Sequence, residues 1–321
     1  MASSRPPAGY DDPRGLPELR ALVAERLARL RGVDCDPDEV RITAGTTAGL
    51  RHLLPALPPG PVAVDDPGYR AAAATVVLGG RGVVDVPAPG PPPSADVLAR
   101  CAAAYLTPAH QHPFGPTMSG ADRLAVLAAS RSTGALLVED DYDSEFRYDV
   151  APVPALESLD RDRVAYLGTA SKTVAPSMRL GWLVAPPALV GEVDRIRRVT
   201  HDSAAWPVQR AFLALLRDGY VDKVVRAARR VYAERAARVT AALATHGRTH
   251  GPVAGMYATV ELSADATRRA QEAARRAGYD VPGLADYCRS HVRHGLVVGF
   301  GGCTDEQLDA ALAALVRGLE G

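Results

Sequence analysis

The chain has 321 residues, with 37 basic and 37 acidic side chains and a formal net charge of zero. A chain of this length corresponds to about two domains and buries roughly three quarters of its unfolded surface, so a full core is available. The charge balance excludes a global field that would draw it to nucleic acid or anionic membrane, and function must come from a local site.

The first residues, MASSRPPAGYDD, contain no apolar core of a signal peptide, and no run approaches the ~20 apolar residues of a membrane span. A cytoplasmic protein is expected. Residues 16–31 place Leu16, Leu19, Leu22, Val23, Leu27 and Leu30 at helical spacing, and Gly32 follows as a stop signal. Short β-type runs then alternate with helical stretches, at 40–43, 62–64, 83–86, 104–107, 135–139, 164–167 and 180–184. That alternation predicts an α/β layer with a mostly parallel sheet covered on both faces. The Pro-rich stretch 87–93 is a loop. Beyond about 188 the pattern changes to long helices, including 208–217 and 221–244, then short strands near 256–262 and 296–300 and a last helix at 305–318. The expected division is a large domain over 1–195 and a smaller α+β domain over 196–321. Arginines 226, 229, 230, 235 and 238 are interleaved with Ala, Val and Glu, the composition of a solvated helix face rather than a nucleic-acid surface.

Cys35, Cys101, Cys288 and Cys303 are scattered without C-x-x-C spacing, which suits reduced thiols. Positive charge is almost all arginine; the only lysines are Lys172 and Lys223. An amine can lose its proton and attack a carbonyl, whereas a guanidinium stays protonated, so a lysine inside a motif carries weight here.

Lys172 lies in VAYLGTASKTVAPSMRLG (164–181), where a strand ends at Gly168 and is followed by Thr169, Ser171, Lys172 and, seven residues later, Arg179. Hydroxyls and a guanidinium bind phosphate oxygens while the amine condenses with an aldehyde on the same cofactor. The segment ALLVEDDYDSEFRY (135–148) is a buried strand ending in acids. A carboxylate there can pair with a pyridinium nitrogen, and a tyrosine two residues on can meet a ring hydroxyl. A magnesium site built from Asp140, Asp141 and Asp143 is the competing reading of this segment. In VRITAGTTAGL (40–50), Gly45 leads into a helix starting at Thr46 and Thr47, whose free amides suit phosphate. Tyr69, in Asp66-Pro67-Gly68-Tyr69, offers a ring that can stack on a flat cofactor or simply pack. In AYLTPAHQHPFGPTMS (104–119), His110 and His112 stand two apart at a strand end, on one side if the strand continues. No third metal ligand accompanies them, and hydrogen bonding near a ring is the expected role; no metal is expected.

In this order the segments resemble fold-type I pyridoxal-phosphate enzymes, in particular the aminotransferase-like domain of MocR-type bacterial regulators. The most specific pieces are YDDPRGLPELR, TPAHQHPFGPTMS, EDDYDSEFRY and GTASKTVAPSMRLGW. The resemblance covers nearly the whole chain and is strongest over 10–184. It implies a mostly parallel seven-stranded sheet between helices, a small C-terminal domain, and pyridoxal 5′-phosphate held as a Schiff base on Lys172. It further implies Asp140 at the pyridine nitrogen, Tyr142 facing the ring hydroxyl and Tyr69 stacked on the ring. Phosphate contacts would come from Gly45, Thr46, Thr47, Thr169, Ser171 and Arg179. Tyr10 would reach the phosphate of the neighbouring subunit, so a homodimer with the site at its interface is implied.

Three departures accompany the resemblance. The chain begins almost at YDDPRG, so neither the winged-helix domain of MocR regulators nor the arm that helps close the site is expected in it. His112 replaces the usual aromatic or asparagine beside the ring hydroxyl. Val297, in GLVVGFGG, stands where an arginine usually grips the substrate carboxylate, and that contact is not carried over. The implied activity is an aminotransferase acting on an amino acid or related amine. Racemisation, elimination and cyclisation use the same cofactor contacts, and a non-catalytic sensor of cofactor and effector amine is the rival from another class.

Overall fold

The computed structural model describes residues 8–9, 11–148, 153–251 and 253–321. Tyr10 lies outside the described residues. Seven strands, β1 (Val40–Thr43), β2 (Val62–Asp66), β3 (Val83–Pro87), β4 (Ala103–Leu106), β5 (Leu136–Asp141), β6 (Val164–Thr169) and β7 (Gly181–Val184), form one sheet in the order β1-β7-β6-β5-β4-β2-β3. The pairs from β6 through β5, β4 and β2 to β3 are parallel, and β7 runs antiparallel to both β1 and β6. Strands buried on both faces carry continuous apolar runs, which is why β4 and β6 are fully buried along their length. The helices covering the sheet include α1 (Pro17–Arg31), α2 (Thr46–Leu53), α3 (Arg70–Leu78), α4 (Ala95–Leu98), α5 (Gly120–Thr133) and α6 (Pro187–Thr200). The expected helix over 16–31 starts one residue later, with Pro17 in its first turn and Gly32 closing it in the left-handed conformation at φ +69°.

Toward the C-terminus come α7 (Trp206–Arg217), α8 (Tyr220–Leu243), β8 (Arg248–Thr249), β9 (Tyr257–Glu261), α9 (Ala264–Arg276), β10 (Gly295–Gly299) and α10 (Asp305–Glu320). The order β10-β9-β8 makes an antiparallel sheet with its own apolar cluster, built around Val239, Val260, Leu296, Phe300 and Leu315. β8 has no counterpart among the expected strands because it is two residues long.

One difference from expectation bears on chemistry. The strand predicted over 135–139 continues to Asp141, and its acids are as buried as its leucines. Charged residues end an apolar run in the sequence, but here they have partners inside the fold. Arg31 forms an ion pair with Asp141 at 2.5 Å and lies 3.7 Å from Glu139, and the Tyr166 hydroxyl donates to Asp141 at 2.6 Å. Alternation along the strand sends Glu139 and Asp141 to the α1 side and Asp140 to the opposite face.

The register places Asp140 level with Leu167 and Asp141 level with Gly168, so β5 and β6 end at the same edge. The parallel strands β4 and β2 end there too, as does β1, which is antiparallel to β7 and therefore parallel to β6. The loops leaving this edge converge, as they do where open α/β sheets bind ligands.

Candidate active site

A cavity of about 200 Å³ lies at that edge. β5 contributes Asp140 and, just beyond its end, Tyr142. β6 contributes its last residue, Thr169, the turn after it Ser171 and Lys172, and Arg179 follows before β7. Thr46 and Thr47 enter from the first turn of α2, Tyr69 from the residue preceding α3, and His112 from the loop after β4. Segments far apart in sequence thus meet in one place. Sequence reasoning did not include Thr107, Pro176, Met256 or Tyr257, which also line it; Tyr257 opens β9 and Met256 immediately precedes it.

Gly45 is not itself a lining residue but shapes the phosphate side. Its φ of +98° is one that L side chains rarely adopt, and an added Cβ would lie 3.1 Å from Arg179 Nη2. Arg179, itself left-handed at φ +47°, donates from Nη2 to the Ala44 carbonyl at 3.1 Å. The Arg179 guanidinium and the open amides of the α2 start therefore meet at one end of the cavity, a donor set matched to a phosphate. Ser171 Oγ is buried there without a hydrogen-bond partner.

Asp140 sits at the other end, almost fully buried. Its Oδ2 accepts from the Tyr105 hydroxyl. Oδ1 has no partner. Burial pushes the Asp140 carboxyl up to about 7, assisted by the charges of Asp141 and Asp143, while the Tyr105 hydroxyl and the nearby Thr46 side chain oppose the shift. A cationic N–H at Oδ1 would satisfy the orphaned oxygen and hold the group ionised. Pyridoxal phosphate presents a phosphate, an aldehyde and a ring nitrogen. Arg179 with the α2 start, Lys172, and Asp140 Oδ1 offer one partner to each, so the residues fit that cofactor.

The three acids of the magnesium alternative point to different partners. Asp140 faces the cavity, Asp141 pairs with Arg31, and Asp143 Oδ2 lies 2.7 Å from His110 Nδ1. Among the described residues no group of three or more His, Cys, Asp or Glu side chains is placed to hold a metal. The histidines do not share a strand face, because β4 ends at Leu106 and both lie in the following loop. His110 is buried against Asp143, whereas His112 lines the cavity with its ring edge toward Tyr69 at 5.9 Å and Tyr142 at 5.9 Å. Loss of water around the His112 ring lowers its pKa to about 3, with His110, Lys172 and Arg70 adding in the same direction, so the ring is neutral near pH 7. Val297 points into an apolar cluster with Ala88, Phe114, Tyr257 and Leu284 and does not line the cavity.

No described helix is long and apolar enough to cross a membrane. Residues 1–315 match the family described as aminotransferase class I and II. The chain is 37% identical over 235 residues to the probable rhizopine catabolism regulatory protein MocR of Rhizobium meliloti, a match covering 71% of this chain and 47% of that protein. It is 30% identical over 322 residues to the pyridoxine biosynthesis transcriptional regulator PdxR of Corynebacterium glutamicum, covering 98% of this chain and 70% of that protein. The chain thus spans about half to 70% of the length of these relatives. The crystal structure of LysN, an α-aminoadipate aminotransferase of Thermus thermophilus complexed with N-(5′-phosphopyridoxyl)-L-leucine, superposes with a TM-score of 0.85 at 25% identity, covering 98% of this chain and 83% of that one. The chain belongs to the aminotransferase class I and II family, with the type I fold and pyridoxal 5′-phosphate as its cofactor.

Proposed function

We propose that the protein is an enzyme acting on the amine of an amino acid or related amine, by transamination. The observation that carries this reading is the meeting, in one cavity, of Lys172, the unpartnered Oδ1 of Asp140 and the Arg179 guanidinium. When bound, pyridoxal phosphate supplies an aldehyde that condenses with amines and a cationic ring that takes up an electron pair from the substrate carbon. Arg179, Thr46, Thr47, Thr169 and Ser171 with the Gly45 turn hold the phosphate, and Tyr69 packs against the ring. Asp140 Oδ1 keeps a proton on the ring nitrogen. Tyr142 presents its hydroxyl to the ring hydroxyl, with the neutral His112 beside it. Lys172 would hold the aldehyde carbon at rest and, as a free amine, would move a proton from the substrate carbon to the former aldehyde carbon.

The working unit in this reading is a cytoplasmic homodimer with the site at the subunit interface, where Tyr10 of each subunit serves the other's phosphate; neither nucleic acid nor membrane is a partner. Racemisation, elimination or cyclisation would use the same contacts and would be told apart by the products. The regulatory relatives favour a second reading, a module that binds cofactor and effector amine without turnover.

The deciding experiment is a visible spectrum of purified protein with pyridoxal phosphate, followed by borohydride reduction, peptide mapping and a panel of amines. Label on Lys172 and repeated turnover with one amine is the expected result. Label with a spectral change that persists without turnover would replace the enzyme by the sensor, and a colourless protein without label would end both readings.

A further inference from the structure

Two buried groups beside the cavity have no part in the chemistry described so far. Asp143 and His110 are almost completely enclosed, with Asp143 Oδ2 2.7 Å from His110 Nδ1. The Tyr142 hydroxyl lies 3.1 Å from the same Nδ1, donates to the His110 carbonyl oxygen at 2.9 Å, and is 2.6 Å from the Tyr257 hydroxyl. Tyr257 continues to His112 Nδ1 at 3.3 Å. The rings of His110 and Tyr257 stack at 5.0 Å. Backbone closes tightly around the pair. At Gly255, with φ +66°, a Cβ would stand 2.6 Å from Asp143 Oδ2 and 2.9 Å from His110 Cε1, and at Gly115, with φ +97°, one would stand 3.1 Å from His110 Nε2.

We infer that Asp143, by holding the imidazole proton on His110 Nδ1, stops that nitrogen from capturing the hydroxyl proton of Tyr142 and leaves the proton free to turn from the His110 carbonyl to the cofactor's ring hydroxyl, so that Asp143 and His110 are positioning residues for that contact. The inference rests on the reading that the cavity takes pyridoxal phosphate. A buried carboxylate at 2.7 Å fixes the imidazole proton on Nδ1, as carboxylates do for histidines that must keep one tautomer. Nδ1 then cannot accept from Tyr142. The acceptors left to that hydroxyl are the His110 carbonyl, Tyr257 and whatever faces it from the cavity, where Lys172, Asp140 and Arg179 are the charged groups and His112 is neutral. Without the Asp143 carboxylate, Nδ1 becomes an acceptor 3.1 Å away and draws the Tyr142 proton out of the cavity.

The test is the pH titration of the visible absorbance of the cofactor-loaded protein, in the parent, Asp143→Asn, Tyr142→Phe and the double variant. A donor on the ring hydroxyl oxygen stabilises the charge left when the lysine-bound chromophore loses its proton, so removing the donor raises the midpoint. Each single variant is expected to shift it upward by about one pH unit, the size of one charge-assisted hydrogen bond. The double variant is expected to match Tyr142→Phe alone. An Asp143→Asn midpoint equal to the parent's, or a shift that persists undiminished without the Tyr142 hydroxyl, overturns the inference. His110→Gln is expected to give the same shift and serves if Asp143→Asn does not fold. Nitrogen-15 NMR of histidine-labelled apoprotein is a readout without cofactor: the His110 proton is expected on Nδ1 in the parent and on Nε2 in Asp143→Asn, and a parent protonated on Nε2 defeats the inference. A parent that takes no cofactor on Lys172 defeats the functional reading, and with it the role toward the ring hydroxyl, whatever the NMR shows.

Discussion

The Tyr105 hydroxyl donates to Oδ2 of Asp140 and leaves Oδ1 of the same carboxyl buried without a partner. The carboxyl is thus half satisfied by the protein and waits for a cationic donor, and its pKa of about 7 expresses that state. A buried acid raised from its ordinary range disfavours the folded state once it ionises. Its contribution is harmless below about pH 4 and becomes a loss of stability as pH rises from about 4 to 7, on the order of 4 kcal/mol for a shift of this size. The difference in Tm between apoprotein and its Asp140→Asn variant should therefore grow in favour of the variant across that interval. Bound cofactor should cancel the difference, because the ring nitrogen supplies the missing donor. Thermal melts of both proteins from about pH 4 to 8, with and without pyridoxal phosphate, check this; parallel Tm profiles in the apoproteins would count against it.

Arg31 stands behind the same strand. Its guanidinium is buried between Asp141 and Glu139, and, although burial alone would lower its pKa, those carboxylates raise it overall. Removing one partner of a buried ion pair leaves uncompensated charge and costs about 3–5 kcal/mol. Arg31→Ala should lose stability on that scale, and Arg31→Ala with Asp141→Asn should recover part of it. Denaturant unfolding of the two variants gives the comparison, and a double variant no more stable than the single one would contradict the pairing.

Much of this site is legible in the sequence because its chemistry sits in short contiguous motifs. Lys172 and Arg179 share one turn segment, Asp140 and Tyr142 another, and the rarity of lysine makes the first conspicuous. Tyr105 is not legible, since a tyrosine inside the apolar run of β4 has the pattern of ordinary core. Met256 and Tyr257 are not, because they lie at the entry to the second sheet's β9 and reach the cavity only through tertiary packing. The extension of β5 through Asp141 is hidden for a related reason: the partners that make buried acids tolerable, Arg31 and Tyr166, come from α1 and β6. Placing the two histidines on one side assumes that β4 continues, whereas the chain turns after Leu106 and separates the two side chains.

The segment YDDPRG has a structural partner that its composition does not reveal. Arg197 of α6, almost wholly buried, donates to the carbonyls of Pro13 and Ile42 and meets His52 Nδ1 at 2.9 Å. Burial lowers its pKa to about 10, so it remains charged at neutral pH. Arg197→Leu would leave those carbonyls without donors, at about 1–3 kcal/mol for each buried group. The expected outcome is a lower Tm and faster proteolytic cleavage within residues 11–16 than in the parent, read by limited proteolysis and mass spectrometry. Cleavage confined to other loops would show that the guanidinium does not anchor this segment.

Gly45 gives the sharpest separation of binding from folding. The residue caps the start of α2 at φ +98° and ψ 174°, a region essentially confined to glycine, where an alanine is strained by about 1–3 kcal/mol. Its added Cβ would also stand 3.1 Å from Arg179 Nη2, and Arg179 is exposed and able to move aside. The fold should therefore survive Gly45→Ala with a modest loss of Tm, while the guanidinium is displaced from the end of the cavity that suits a phosphate. Affinity for pyridoxal phosphate is expected to fall about tenfold or more, corresponding to roughly 1.4 kcal/mol, and affinity for pyridoxal, which has no phosphate, should change far less. Absorbance titrations with the two aldehydes separate these effects. An equal loss for both would place the damage at Lys172 or the ring rather than at the phosphate end, and would move Gly45 and Arg179 out of the binding role.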